Sequence, residues 1–353
     1  MLTSEFDYNL PKDLIAQSPI RPRDRSKLMV VDRKDNTIEH CHFCDITKYL
    51  NKGDLIVWNN SKVFKARLYG RLVSSTGRNL IKHGRDIEIF LVRPTENVGV
   101  WQVLARPGRH VRAGAKVSFA KDFYCDVLVK KRDGTILVQF EDEERMVRNK
   151  ANKYGHIPVP PYVKDEPHEL DIYQTVYAKN EGSVAAPTAG FHFTDSLIKK
   201  LKDMRVDFTD LTLHVGLGTF LPVKSERIED HTMHSEWVEI SQDSAKKINL
   251  AKKEGRRVIA VGTTTVRTLE GVSKILRKNK VDAYKGEIDI FIKPGFEFKV
   301  VDAMITNFHL PKSTLLMLVA AFSGDREFIL DCYKKAVENK YRFYSFGDAM
   351  YIT

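Results

Sequence analysis

The chain has 353 residues, 42% of them hydrophobic and 29% charged, an ordinary globular composition with room for two domains. Domains of that size bury a sufficient core without disulfide or metal staples. Cysteine is sparse (Cys41, Cys44, Cys125 and Cys332), which points to a reducing, intracellular compartment. The N-terminus, Met1 to Asp7, is acidic where a signal peptide would be basic and then apolar. The longest apolar run, Leu315 to Phe322, falls far short of the ~20 residues that cross a bilayer. A soluble, cytoplasmic protein with no membrane partner is expected. The formal net charge is +11 and is regional: residues 62–148 hold 18 Lys and Arg against 10 Asp and Glu, residues 11–34 seven against three. Clustered positive charge suits a polyanion, so a nucleic-acid partner is favoured over a merely basic surface.

In chain order, Leu28 to Val31 and Asp54 to Trp58 read as strands of a core. From Lys62 to Arg148 the pattern becomes short strands with period-two alternation, over 66–73, 86–92, 100–105 and 123–129. Arg106-Pro107-Gly108 and the hairpin dipeptide Asp133-Gly134 punctuate them. Short strands at this spacing, without a clear helix, predict a small antiparallel barrel. The Pro-rich run Ile157-Pro158-Val159-Pro160-Pro161 marks a stiff connection. Beyond it, Thr194 reads as the N-cap of a helix carrying Leu197, Ile198 and Leu201, and Ser241 to Glu254 as a helix stopped by Gly255. A strand over 257–262, a helix over 266–275 and an amphipathic helix over 325–340 follow. Strands alternating with helices predict an α/β core domain with an inserted, mainly antiparallel β-barrel domain. The core is expected over 1–61 and 153–353, the barrel over 62–152.

Several motifs carry chemistry and a bland alternative. His40-Cys41-His42-Phe43-Cys44 looks like half a zinc site, but no second Cys pair completes it. His231 and His234 stand three apart as metal ligands can, yet the H-E-x-x-H pattern is missing and nearby Pro222 suggests a polar pocket loop. No metal is expected. His214-Val215-Gly216-Leu217-Gly218 lacks the third glycine and the helix of a dinucleotide fingerprint, so its glycines read as permitting close backbone approach. Gly262-Thr263-Thr264-Thr265 follows a strand and opens a helix, a place that suits a carboxylate, phosphate or ribose, or simply caps the helix. Residues 182–194 are small and Gly-flanked, and 306–314 gather amide, imidazole, ammonium and hydroxyl groups before an apolar run, as a pocket lining does.

Taken together these stretches are distinctive. Residues 177–178 with 182–194, 211–223, 258–267, 291–296, 306–322 and 341–350, with Tyr8 to Pro11, 14–17, Arg23-Asp24, Gly53 to Leu55 and Ala66 to Leu68, resemble the S-adenosylmethionine:tRNA ribosyltransferase-isomerase family in family order. The likeness covers nearly the whole chain and is loosest in the barrel. Phe191 stands where the family commonly has leucine, and Cys41 and Cys44 belong to no family motif.

The resemblance implies an α/β core with an inserted barrel, and S-adenosylmethionine as a consumed substrate with no separate cofactor. Its ribosyl unit would be transferred and isomerised onto 7-aminomethyl-7-deazaguanine at the tRNA wobble position, giving epoxyqueuosine-tRNA, adenine and methionine. Such chemistry needs removal of a proton beside the sulfonium, protonation or hydrogen bonding of the departing adenine, and a neutral tRNA amine held near C1′. By residue type, His214 and His234 are the first choices for proton transfer, then His192 and His309. Thr188, Thr263, Thr264, Asn307 and Asp348 suit substrate binding, and Arg67, Arg109, Arg112 and Arg342 suit tRNA. Each of these histidines also has an ordinary structural role open to it. A monomer is expected. Two other readings stay open, a metal-dependent hydrolase using His231 and His234 and a non-catalytic RNA-binding module built on the barrel.

Overall fold

The computed structural model describes residues 1–73, 85–216, 223, 225–233, 235–276 and 280–353. Seventeen strands and six α-helices follow in order among them. They begin with β1 (Lys27–Asp32), β2 (Thr37–His42), β3 (Leu55–Asn59) and β4 (Ser61–Val63). Next come β5 (Arg67–Val73), β6 (Arg85–Pro94), β7 (Val100–Arg106), β8 (Lys116–Ala120), β9 (Phe123–Lys130) and β10 (Ile136–Phe140), then α1 (Glu144–Tyr154). β11 (Asn180–Ser183), α2 (Asp195–Asp203), β12 (Asp207–His214), β13 (Glu236–Ile240), α3 (Gln242–Lys253), β14 (Val258–Val261) and α4 (Thr263–Leu276) continue the chain. It closes with β15 (Tyr284–Ile288), β16 (Ala303–Asn307), α5 (Thr314–Ser323), α6 (Arg326–Glu338) and β17 (Ala349–Ile352).

Two sheets organise these elements. Strands β5 to β10 close into a six-stranded antiparallel barrel in the order β10-β7-β6-β5-β8-β9. Alternation makes it: Ile136, Val138 and Phe140 of β10 point inward among Trp101, Val103, Phe123 and Cys125, while the residues between them are partly exposed. The other sheet has nine strands in the order β15-β13-β12-β3-β14-β16-β17-β1-β2. At its centre β12, β3, β14 and β16 run parallel. β3, β14 and β16 are buried along their whole length, as strands covered on both faces must be. The fold class expected from the sequence, an α/β core with a mainly antiparallel barrel, is borne out. No described helix is long and apolar enough to cross a membrane.

The helix signals hold in detail. Thr194 caps α2 by accepting from the Leu197 amide at 3.2 Å, and Ser241 caps α3 by accepting from Ser244 at 3.1 Å. Gly255 follows α3 at φ +70. Two elements differ from expectation. A helix, α1, stands where none was read, because only Val147 and Ala151 of it are buried and the rest is largely charged or polar. α4 starts at Thr263 rather than Val266, and the apolar run 315–322, to which no element was assigned, lies in helix α5.

Beside the central strands, Trp58 stacks on Tyr177 with centroids 4.0 Å apart, and Phe193 meets both edge-on. Gly190 is pressed against this group: a Cβ there would lie 1.9 Å from the Tyr177 hydroxyl oxygen. Gly190→Ala should therefore cost about 2 kcal/mol of stability, as overpacking of a filled core does. Urea unfolding checks it, and a midpoint equal to wild type would show that the aromatic group yields freely.

Candidate functional site

A parallel strand delivers its last residues, and the loop after it, to the carboxyl edge of the sheet, and in open α/β sheets ligands bind outside that edge. Here β12 delivers Val215, β14 delivers Gly262 and Thr263, and β16 delivers Thr306 and Asn307 to one cleft of about 690 Å³, part of it open to solvent. β17 runs antiparallel to β16 and pairs Ala349 with Asn307, so the 341–348 loop arrives at the same edge with Tyr344 and Ser345. The small segment 185–189 forms the facing wall. Ser183 holds that wall, its hydroxyl donating to Ala185 O at 2.6 Å and accepting from Val215 N at 3.0 Å.

The lining is neutral. It offers hydroxyls from Thr188, Thr263, Thr264, Thr306, Ser313 and Ser345, the Asn307 amide and the His309 imidazole, with no Asp or Glu among the described lining residues. Thr264 Oγ1 is buried and has no hydrogen-bond partner among the described residues. Such a group carries a desolvation cost that a bound ligand would relieve. Thr263 opens α4, whose first amides have no partner within the helix, a favourable setting for a carboxylate.

Two of the expected histidines sit at this cleft in different ways. His309 borders it, with Nε2 2.9 Å from Thr306 Oγ1. Its backbone is gripped on both sides: the N–H donates to the Tyr333 hydroxyl at 3.1 Å and the carbonyl accepts from the Tyr8 hydroxyl. Desolvation first, then the nearby Arg267 charge, pushes its pKa down to about 3, so the ring is neutral at ordinary pH. His192 lies behind the wall and is only 3% exposed. Its Nδ1 is 2.7 Å from Ser26 Oγ and its Nε2 3.2 Å from Asn307 Nδ2. Asn307 also donates to the Tyr344 carbonyl at 3.1 Å and accepts from Thr188 Oγ1 at 3.4 Å.

His214 is placed elsewhere. It precedes Val215 on an extended segment, so its side chain faces away from the cleft, stacked on Trp237 at 5.0 Å and pressed against Gly182. Desolvation, then the Arg148 charge, lowers its pKa to about 4. His234 lies outside the described residues. Among the described residues no group of three His, Cys, Asp or Glu gathers as metal ligands.

A family model described as a queuosine biosynthesis protein matches residues 3–352. The chain belongs to the queuosine biosynthesis protein family. Curated relatives named S-adenosylmethionine:tRNA ribosyltransferase-isomerase, from Thermotoga petrophila and Halothermothrix orenii, are 50% and 48% identical, each over 100% of both chains. The crystal structure of an S-adenosylmethionine tRNA ribosyltransferase from Thermotoga maritima is similar at 39% identity and TM-score 0.56, covering 99% of this chain and 100% of that one. The family resemblance read from the sequence is borne out, and the chain is an enzyme, a transferase-isomerase of this family.

The remaining expected residues of this queuosine-family enzyme divide between cleft, frame and barrel. Thr188, Thr263, Thr264 and Asn307 line the cleft together. Asp348 is 1% exposed and does not line it; it accepts from the amides of Lys27 at 3.0 Å and Arg342 at 2.7 Å. Arg342 lies 3.5 Å from Asp348 and donates to the Ser18 carbonyl at 3.2 Å, beside a smaller hollow that includes Arg23 and His192. Arg67 sits on the barrel 3.7 Å from Glu88. Arg109 and Arg112 are exposed at one end of the barrel. There Arg85 lies 2.9 Å and Arg109 3.0 Å from ring nitrogens of His110, whose pKa is lowered by desolvation and then by Arg85, Arg109 and Arg112. Tyr162 and Tyr344, rings 4.6 Å apart at the cleft, were not singled out by sequence; Tyr344 falls within a family-like stretch, while Tyr162 follows the Pro-rich run with no signal of its own.

Burial of His192 has a consequence for stability. Desolvation, then Arg342 and Arg23, pushes its folded pKa down to about 3, whereas an unfolded histidine titrates near ~6.5. Between those values the unfolded chain binds the extra proton. The contribution is therefore intact above ~6.5 and is lost as pH falls toward 3, by up to about 1.4 kcal/mol per pH unit. His192→Gln should flatten the stability-versus-pH curve by nearly that slope between about pH 6 and about pH 4. Urea unfolding across this range measures it; an unchanged slope would mean that the wild-type ring can take up its proton inside the fold.

Proposed function

We propose that the cleft binds S-adenosylmethionine as a consumed substrate, and that the chain transfers and isomerises its ribosyl unit onto 7-aminomethyl-7-deazaguanine at the wobble position of tRNA. The products are epoxyqueuosine-tRNA, adenine and methionine, and neither metal nor separate cofactor is required. The observation that carries this reading is the neutral, hydroxyl-lined cleft at the carboxyl edge of the sheet, with the unpartnered Thr264 hydroxyl inside it. Hydroxyls and an amide match a ribose, the start of α4 suits the methionine carboxylate, and Tyr162 and Tyr344 offer aromatic surface to a purine. The names of the full-length relatives point the same way.

Chemistry in this cleft has to move a proton from the carbon beside the sulfonium and support adenine as it leaves. His309 is the described imidazole that borders the cleft. We assign it to proton transfer there: its imidazole borders the cleft, and the Tyr8 and Tyr333 hydroxyls fix its backbone. The exposed Arg109 and Arg112 belong to a cluster of positive charge that suits tRNA phosphates, whose single-stranded anticodon bases can be splayed into a pocket.

Incubating the protein, dialysed against a strong chelator, with S-adenosylmethionine and tRNA carrying the aminomethyl base should release free adenine. No adenine, with substrate tRNA recovered unchanged, would refute the assignment. His309→Asn should keep S-adenosylmethionine binding but slow adenine release by roughly a hundredfold or more; near-normal turnover would remove His309 from proton transfer. Reversing Arg109 and Arg112 together to Glu should weaken tRNA binding and flatten its salt dependence. An unchanged affinity and salt slope would show that neither arginine meets the RNA.

A further inference from the structure

The Asn307 carboxamide is 3% exposed and its orientation can be read from its partners. A backbone carbonyl only accepts, so the atom 3.1 Å from Tyr344 O is the amide nitrogen. That same NH₂ group lies 3.2 Å from His192 Nε2, which must then present a lone pair. The His192 proton is left on Nδ1, donated to Ser26 Oγ at 2.7 Å. Both amide protons are thus used behind the wall, and the carbonyl oxygen is turned toward Thr188 and the cleft. Its contact with Thr188 is long at 3.4 Å and uses one of two lone pairs.

We propose that His192 is a positioning residue: it locks the Asn307 carboxamide in one orientation, so that Oδ1 faces the cleft as an acceptor for a ribose hydroxyl of the substrate. This rests on the S-adenosylmethionine reading above. A hydroxyl is the fitting donor because the described lining contains no carboxylate to hold an ammonium, whereas a neutral amide oxygen matches a neutral O–H. Without the Nε2 lone pair, the amide loses one of the two acceptors that oppose its flip, and the flipped amide would offer the hydroxyl a donor. His192 itself lines only the hollow behind.

Binding of S-adenosylmethionine and of its 2′-deoxy and 3′-deoxy analogues to the full-length protein tests this. Wild type should bind one deoxy analogue roughly tenfold more weakly than the parent, the effect of one hydrogen bond. In His192→Asn, which lacks an acceptor at the Nε2 position, the parent should weaken roughly tenfold and the discrimination should vanish. His192→Gln, whose side-chain oxygen reaches that position, should restore both. Wild-type discrimination retained in His192→Asn, or a Gln variant no better than Asn, would overturn the proposal. Normal wild-type binding of all three ligands would overturn it alone, while no binding of S-adenosylmethionine would overturn the functional reading with it. A wild-type measurement needs no variant to fold: ¹⁵N spectra of the histidines should show His192 as the Nδ1–H tautomer, and the Nε2–H tautomer would refute the lock.

Discussion

Burying an amide is costly unless its hydrogen bonds are made, and the architecture around the cleft depends on meeting that demand at Asn307. The last residue of β16 draws Thr188, His192 and the Tyr344 carbonyl to itself, and through His192 it reaches Ser26. These partners lie in loops and short turns, which no strand ladder aligns. The walls of the cleft are therefore set by side-chain bonds converging on one group, while the sheet supplies the fixed floor. Tyr344 is held at φ +71, a conformation costly for a bulky residue and maintained by the loop around it.

Carboxylates are kept out of the described lining of this cleft. Arg267 and Glu236 form a buried pair with contacts of 2.6 to 2.9 Å, tying α4 to β13. Glu270, 1% exposed, receives the amides of Lys299, Val300 and Val301 and anchors the approach to β16. Asp348 pins the 341–348 loop to β1 in the same manner. Carboxylates thus brace the frame, hydroxyls and an amide furnish the cleft, and exposed arginines crowd one end of the barrel. In a low-dielectric frame, losing one member of such a brace would leave a costly unpaired group behind.

Much of this was legible in the sequence, and for identifiable reasons. Thr194 and Ser241 announced their helices because a hydroxyl before an apolar stripe is a local signal. The barrel strands showed because one face of each is wet. Thr188, Thr263, Thr264 and Asn307 stood out as polar groups in small-residue settings and do share one cleft. What alternation could not say is which side of a doubly covered strand meets a ligand. His214 and Val215 are adjacent, and only the fold shows that Val215 lines the cleft while His214 packs on Trp237. Nor could residue type separate His309 at the cleft from His192 behind it, or Asp348 as a brace from Asp348 as a binder. Those distinctions are created by long-range packing between segments more than a hundred residues apart.

Because β4 and β11 lie side by side in parallel, the chain comes back after residues 64–179 to the place it left. The chain entropy of closing such a loop grows only with the logarithm of its length, each doubling adding about 0.6 kcal/mol. The barrel lies wholly within this excursion; its first and last strands, β5 and β10, stand on opposite sides of the cylinder, and α1 carries the chain back so that Arg67 and His156 exchange backbone hydrogen bonds at 3.3 and 2.8 Å. To the sheet, a detour of more than a hundred residues then behaves as a short tether. A cross-link of this kind shortens the effective loop between β3 and β12, and by the logarithmic dependence above extra residues in the barrel's own loops add little to its closure cost.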